Sequence, residues 1–88
     1  MADGLLKITN DSILKTKGVA GIAFPGIIPI FKEQGIELEV YVNVNYGEVI
    51  PEVAWKIQEN IKKSFDNSSY KISKINLHIE GIEIAKED

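Results

Sequence analysis

Glu39, His78 and Glu80 are the residues of this chain best equipped for chemistry, since two carboxylates and an imidazole can move protons or, if they converge, hold a hard divalent cation. Each lies in a stretch that alternates apolar and polar residues, so each is also accounted for as an outward-facing residue of a strand with one buried face. The expectation is therefore no catalytic residue, no cofactor site and no metal site. With one His and no Cys, a thiolate zinc site, a Cys nucleophile and a disulfide framework are excluded. A second pattern, Gly18-Val19-Ala20-Gly21 with Lys15 and Lys17 just before it, has the spacing of the loop with which a KH domain clamps RNA. Such a loop must open a helix, and Pro25, Gly26 and Pro29 stand against a long one here. No P-loop or dinucleotide-binding fingerprint is present.

Charge points away from nucleic acid. The formal net charge is −3, and all ten basic side chains are Lys, whereas phosphate and base recognition favour a clustered positive surface rich in Arg. No apolar run approaches the roughly 20 residues that span a bilayer, so no direct membrane insertion is expected. The opening Met1-Ala2-Asp3-Gly4-Leu5-Leu6-Lys7 has neither the basic flank nor the apolar core of a signal peptide. The expected location is the cytoplasm. At 88 residues the chain reads as one domain, residues 1–88, near the lower end of what a single core can stabilise, which makes association with itself or a partner a reasonable expectation.

The elements that must position these residues follow from periodicity. From Ile36 to Tyr46 every even position is apolar and most odd positions are polar, the period of a half-buried strand. Pro51 suits the first turn of a helix, and Val53, Ala54, Ile57, Ile61 and Phe65 then make one apolar stripe at helical spacing. Tyr70 to Ile84 returns as a strand with Ile75, Leu77 and Ile79 inward, and Gly81 shifts its phase as a bulge does. At the other end Leu5 to Thr9 reads as a short strand, followed by a helix to about Lys17 that Gly18 ends. Val19 to Phe31 reads as a connection containing one edge segment, Ile27 to Lys32. The tail Ala85-Lys86-Glu87-Asp88 is expected to fray. The expected fold is α+β, a two-layer sandwich with one mixed sheet of three to four strands and two helices on one face, in the order β-α-(β)-β-α-β. Val42, Val44, Ile57, Ile61, Leu77 and Ile79 should be nearly fully buried between the layers.

Two apolar features do not fit that core. Trp55 falls well away from the Val53/Ile57/Ile61 stripe on a helical projection, and it reads either as a lone surface aromatic or as an anchor for a protein partner. Ile27, Ile28, Ile30 and Phe31, around Pro29, read either as a lid on the core or as a contact surface continuous with Trp55. These five are the candidate partner-binding residues.

With the elements placed, the chain resembles the alkaline shock protein family of Gram-positive bacteria. The resemblance rests on Tyr41-Val42-Asn43-Val44-Asn45-Tyr46-Gly47, on Ile50-Pro51-Glu52-Val53-Ala54, on Ile57-Gln58-Glu59-Asn60 and on Asn76-Leu77-His78-Ile79-Glu80-Gly81-Ile82. Leu6-Lys7-Ile8-Thr9 and Gly18-Val19-Ala20-Gly21-Ile22 are also similar, so nearly the whole chain is covered. It departs from the family's pattern in a shorter first helix, in Phe24-Pro25-Gly26-Ile27-Ile28-Pro29 where the family has a glycine-rich middle, and in Trp55 where the family tends to carry a charge. The resemblance implies a non-enzymatic stress-response protein supporting cell-envelope homeostasis, held at the inner face of the membrane by an anchor protein. The alternatives are a regulatory partner of a metabolic enzyme of lipid-precursor synthesis and, from the G-x-x-G alone, a KH-like RNA-binding module; the partners expected are a membrane anchor protein or that metabolic enzyme, with a homo-oligomer as a further expectation and no nucleic acid.

Overall fold

The computed structural model describes residues 2–84, and the tail from Ala85 onward lies outside them. The elements run α1 (Ala2–Leu14), β1 (Val19–Lys32), β2 (Gly35–Asn45), α2 (Ile50–Phe65) and β3 (Ile72–Glu83). The fold is α+β, with both helices on one face of a three-stranded mixed sheet in the order β1-β2-β3. β1 pairs antiparallel to β2 across a tight turn. β3 pairs parallel to β2, as a strand reached through a helical crossover does.

The expected opening strand is instead the middle of α1. Leu5, Thr9, Ser12, Ile13 and Thr16 are buried at helical spacing, and three of those five are polar. Their hydroxyls are satisfied within the helical backbone: Thr9 Oγ1 donates to the Leu5 carbonyl at 2.8 Å, Ser12 Oγ to that of Ile8 at 2.7 Å, and Thr16 Oγ1 to that of Ser12 at 2.9 Å. A hydroxyl closed on its own helix can face a core. This stripe therefore behaves as apolar while looking mixed, and Leu5 to Thr9 pack as helix. Gly18 then reverses the chain with φ +98°, where a Cβ would lie 2.8 Å from Val53 Cγ2.

β1 is longer than the expected edge segment because it begins at Val19, but it is not continuous. Ile22 sits opposite Val42 and Ile27 opposite Val40, so Ala23, Phe24, Pro25 and Gly26 step out of the ladder. Two prolines are tolerated because β1 is an edge strand.

β2 is the axis of the core. Leu38, Val40, Val42 and Val44 are fully buried and Ile36 nearly so, under Val53, Ile57, Ile61 and Phe65 of α2 and Leu5 and Ile13 of α1. The alternation from Ile36 and the α2 stripe therefore fall as expected. Leu77 and Ile79 do not: with Ile75 they pack against the core but are only partly buried. β3 is the second edge of the sheet; α1 lies along α2 and β1, and α2 approaches the sheet chiefly at β3, so one helix alone covers the inner side of that edge. The bulge near Gly81 is present, since Ile79 faces Val42 and Gly81 faces Asn43.

Candidate functional site

The helices leave the far side of the sheet uncovered, and the polar residues of β2 and β3 meet there. The register places Tyr41 beside His78 and Glu39 beside Asn76. Glu39 is the hub: His78 Nε2–H donates to Oε1 at 2.7 Å, and the Asn76 amide donates to Oε2. The His78 ring stacks on Tyr41 with centroids 4.3 Å apart and planes 8° from parallel. Around this cluster Lys32 Nζ lies 3.2 Å from a Glu37 oxygen, and Asn43 Nδ2 donates to Glu83 Oε2 at 3.0 Å. Glu80, expected to share the face, falls at the register irregularity and is exposed.

The electrostatics follow from these partners. The hydrogen bond from His78, then that from Asn76, holds the Glu39 carboxyl below its ordinary value of 4.5; the charges of His78 and Lys74 add to this and partial burial opposes it. A carboxyl whose value is depressed on folding stabilises the protein above its unfolded value, and that contribution disappears as pH falls through the folded one. NMR titration of the Glu39 carboxyl carbon should therefore give a midpoint below 4.5 that moves upward in His78→Ala. A midpoint unaffected by that substitution would show that the 2.7 Å contact does not persist in solution.

A carboxylate with two donors and a lowered value is a weak proton acceptor. Among the described residues no group of three or more His, Cys, Asp or Glu could hold a metal ion. The clefts of the surface lie elsewhere: one is lined by Lys17, Glu48, Glu52 and Lys56, another by Asn10, Asp11, Ile22 and Ile27. From Val19 onward the Gly18-to-Gly21 segment is itself the start of β1 and opens no helix, so the expected alternative of a KH-like clamp is not formed.

The candidate partner-binding residues are divided between the two layers. Trp55 is 62% exposed on the outer side of α2. Ile28 and Ile30 sit opposite Glu39 and Glu37 and so face the uncovered side of the sheet, 39% and 37% exposed. Ile27 and Phe31 point the other way, Ile27 packed against the core and Phe31 exposed at its rim. Because α2 lies on the opposite side of the sheet from Ile28 and Ile30, these side chains and Trp55 do not form one surface.

The alternation that turns Glu39 and His78 outward does the same for Asn76, but their hydrogen bonds depend on the β2–β3 register. A second polar feature had no signal beyond helical phase. Between the helices the Ser12 and Ser64 hydroxyls are hydrogen-bonded to each other at 2.6 Å and Asn60 Nδ2 donates to Thr16 Oγ1 at 2.8 Å, which locks α1 against α2 in one antiparallel register.

Residues 3–84, from the first turn of α1 to the end of β3, match the alkaline shock protein 23 family, which is described by a cell envelope-related function. The chain belongs to this family. It is 44% identical over 52 residues to the uncharacterized protein YqhY of Bacillus subtilis (strain 168), an overlap of 58% of this chain and 38% of that one. It is 32% identical over 81 residues to the uncharacterized protein Spy1535 of Streptococcus pyogenes serotype M6, covering 91% of this chain and 63% of that one. The chain thus spans between about two fifths and under two thirds of the lengths of these relatives. Among solved structures it is similar to variants of the MamM CTD: one aligns with TM-score 0.67 at 14% identity over 94% of this chain and 100% of that one, and a copper form aligns with the same values. At that identity the likeness is one of fold. Among the described residues no helix is long and apolar enough to cross a membrane.

Proposed function

We propose that this family member is a non-enzymatic stress-response protein of the alkaline shock type, supporting cell-envelope homeostasis through protein–protein contacts. It works in the cytoplasm and reaches the inner face of the membrane through a partner protein. The observation that carries this reading is how the open sheet face is used: its carboxylate, imidazole and amide are closed on one another at Glu39, His78 and Asn76, while Ile28, Ile30 and, on the other layer, Trp55 are left uncovered. Groups satisfied among themselves brace a surface, and exposed apolar and aromatic side chains give it something to bind. Family membership supplies the envelope context.

The test is in-cell cross-linking of the tagged full chain in its native host, followed by capture and identification of what it holds. A membrane-anchored protein is the expected catch, and a strain lacking the chain should be hypersensitive to envelope-active stress. Capture of a lipid-precursor enzyme instead would replace the anchoring reading with a regulatory one, and a strain indistinguishable from wild type would remove the envelope role. Trp55→Lys should leave the thermal unfolding midpoint nearly unchanged, because an exposed helical position contributes little to stability. It should weaken partner capture on the order of thirtyfold, the loss of about 2 kcal/mol expected of a binding anchor. Undiminished capture would clear Trp55 of any part in the contact.

A further inference from the structure

β3 is an open sheet edge, and its sequence is complementary to itself in one orientation only. The other edge is guarded: Pro25 and Pro29 lie in β1, and a proline offers no N–H to an incoming strand. β3 runs for 12 residues with no proline, and although it is the strand that α2 approaches most, its inner side chains stay only partly buried. Ile75, Leu77 and Ile79 on its inner side are half-buried and Ile82 is 53% exposed. An uncovered edge of that length presents a row of backbone donors and acceptors to solvent.

The side chains along it choose the occupant. Lys71 and Lys74 stand at the start of the segment and Glu80 and Glu83 at its end, all four exposed. Pairing with a second copy in parallel would set like charges side by side. In an antiparallel pair centred on Leu77, Lys74 of each copy faces Glu80 of the other and Lys71 faces Glu83. The same two-fold places Ile75 opposite Ile79 and Ile72 opposite Ile82, so the inner faces join apolar to apolar, and Asn76 meets His78 on the outer face. Lysines on an edge ordinarily discourage pairing. Here each has an acidic counterpart at the mirrored position.

We propose that the chain forms a two-fold symmetric dimer through antiparallel pairing of β3 with β3 of a second copy, joining the two sheets into one of six strands. Closed two-fold symmetry follows from an isologous contact of this kind, and the half-buried Ile75, Leu77 and Ile79 become the centre of a continuous core. The inference is independent of the envelope reading, which a monomer would leave untouched.

Sedimentation equilibrium of the full chain should show a dimer at sub-millimolar concentration. Lys74→Glu, an exposed change that should keep the far-UV circular dichroism spectrum, sets Glu against Glu twice across the two-fold and should raise the dissociation constant on the order of tenfold or more. Combining it with Glu80→Lys restores opposite charges and should restore the dimer. Because the chain contains no Cys, Leu77→Cys provides a second reading: mild oxidation should cross-link it to itself, while Lys32→Cys on the opposite edge should form no cross-link within the dimer. A wild-type chain that is monomeric throughout, a dimer indifferent to Lys74→Glu, or a β3 edge that accepts only a different protein would each overturn the proposal.

Discussion

Ile57→Ala should lower the unfolding free energy by about 2–5 kcal/mol, a large share of the roughly 5–15 kcal/mol that holds a domain together. Ile57 is completely buried in the centre of the α2 stripe, between Val53 and Ile61 and over the valines of β2. Neither layer can close over the missing methyl groups without losing contacts elsewhere. Leu77→Ala, with the same kind of truncation on the half-buried inner side of β3, should cost about half as much or less, because its side chain already meets solvent. Urea titration of both variants at low protein concentration checks the contrast. Equal losses would mean that β3 is covered in solution as thoroughly as β2. A loss at Leu77 that grows with protein concentration is the signature of an edge covered by a second chain.

The parts of this fold legible in the sequence are those where a single period runs uninterrupted. Leu38, Val40, Val42 and Val44 alternate with polar residues without a break, and Val53, Ile57, Ile61 and Phe65 recur every four residues; all of them are buried. The phase of α2 likewise placed Trp55 outside the core, where it is found. α1 was obscured because Thr9, Ser12 and Thr16 occupy core positions that patterning reserves for apolar side chains. Only the hydrogen bonds to the preceding turn make those hydroxyls tolerable there. Leu5 to Thr9, read alone, is then as compatible with a strand as with a helix.

Periodicity also gives the face of a residue and not its cover. Leu77 and Ile79 point inward as expected, but how deeply they are buried depends on where the helices sit across the sheet. The candidate site shows the same division. Tyr41, Glu39, Asn76 and His78 share a face by alternation, yet the stack and the shared carboxylate arise because the parallel register sets His78 beside Tyr41 and Asn76 beside Glu39. A shift of one residue would have turned His78 toward the helices. Trp55 and Ile28, both exposed and apolar, could not be assigned to opposite layers without knowing that α2 lies on the side of the sheet away from Ile28.

Gly35→Ala should destabilise the protein by about 2–4 kcal/mol, although Gly35 is no part of the hydrophobic core. Gly35 starts β2 directly after the turn at Glu33 and Gln34 with φ +145°, a region that residues with a Cβ rarely occupy. A methyl group built there lies 2.8 Å from the Lys71 carbonyl oxygen and 3.1 Å from Ser73 Cβ. The Lys71 contact is with backbone and cannot be relieved by a rotamer change. That carbonyl is already engaged, accepting from the Ile36 N–H at 2.8 Å, and it is the bond that brings β3 alongside the start of β2. The substitution therefore strains the turn and pushes apart the first rung of the parallel ladder at once. Gly26→Ala supplies the comparison, since Gly26 has φ +93° but no atom within 4 Å of the added carbon. It should lose only the backbone term, about 1–2 kcal/mol. Thermal or urea unfolding of the two variants separates conformational strain from steric collision. If Gly35→Ala proved no worse than Gly26→Ala, the close approach of β3 to the head of β2 would not be the constraint that demands glycine there.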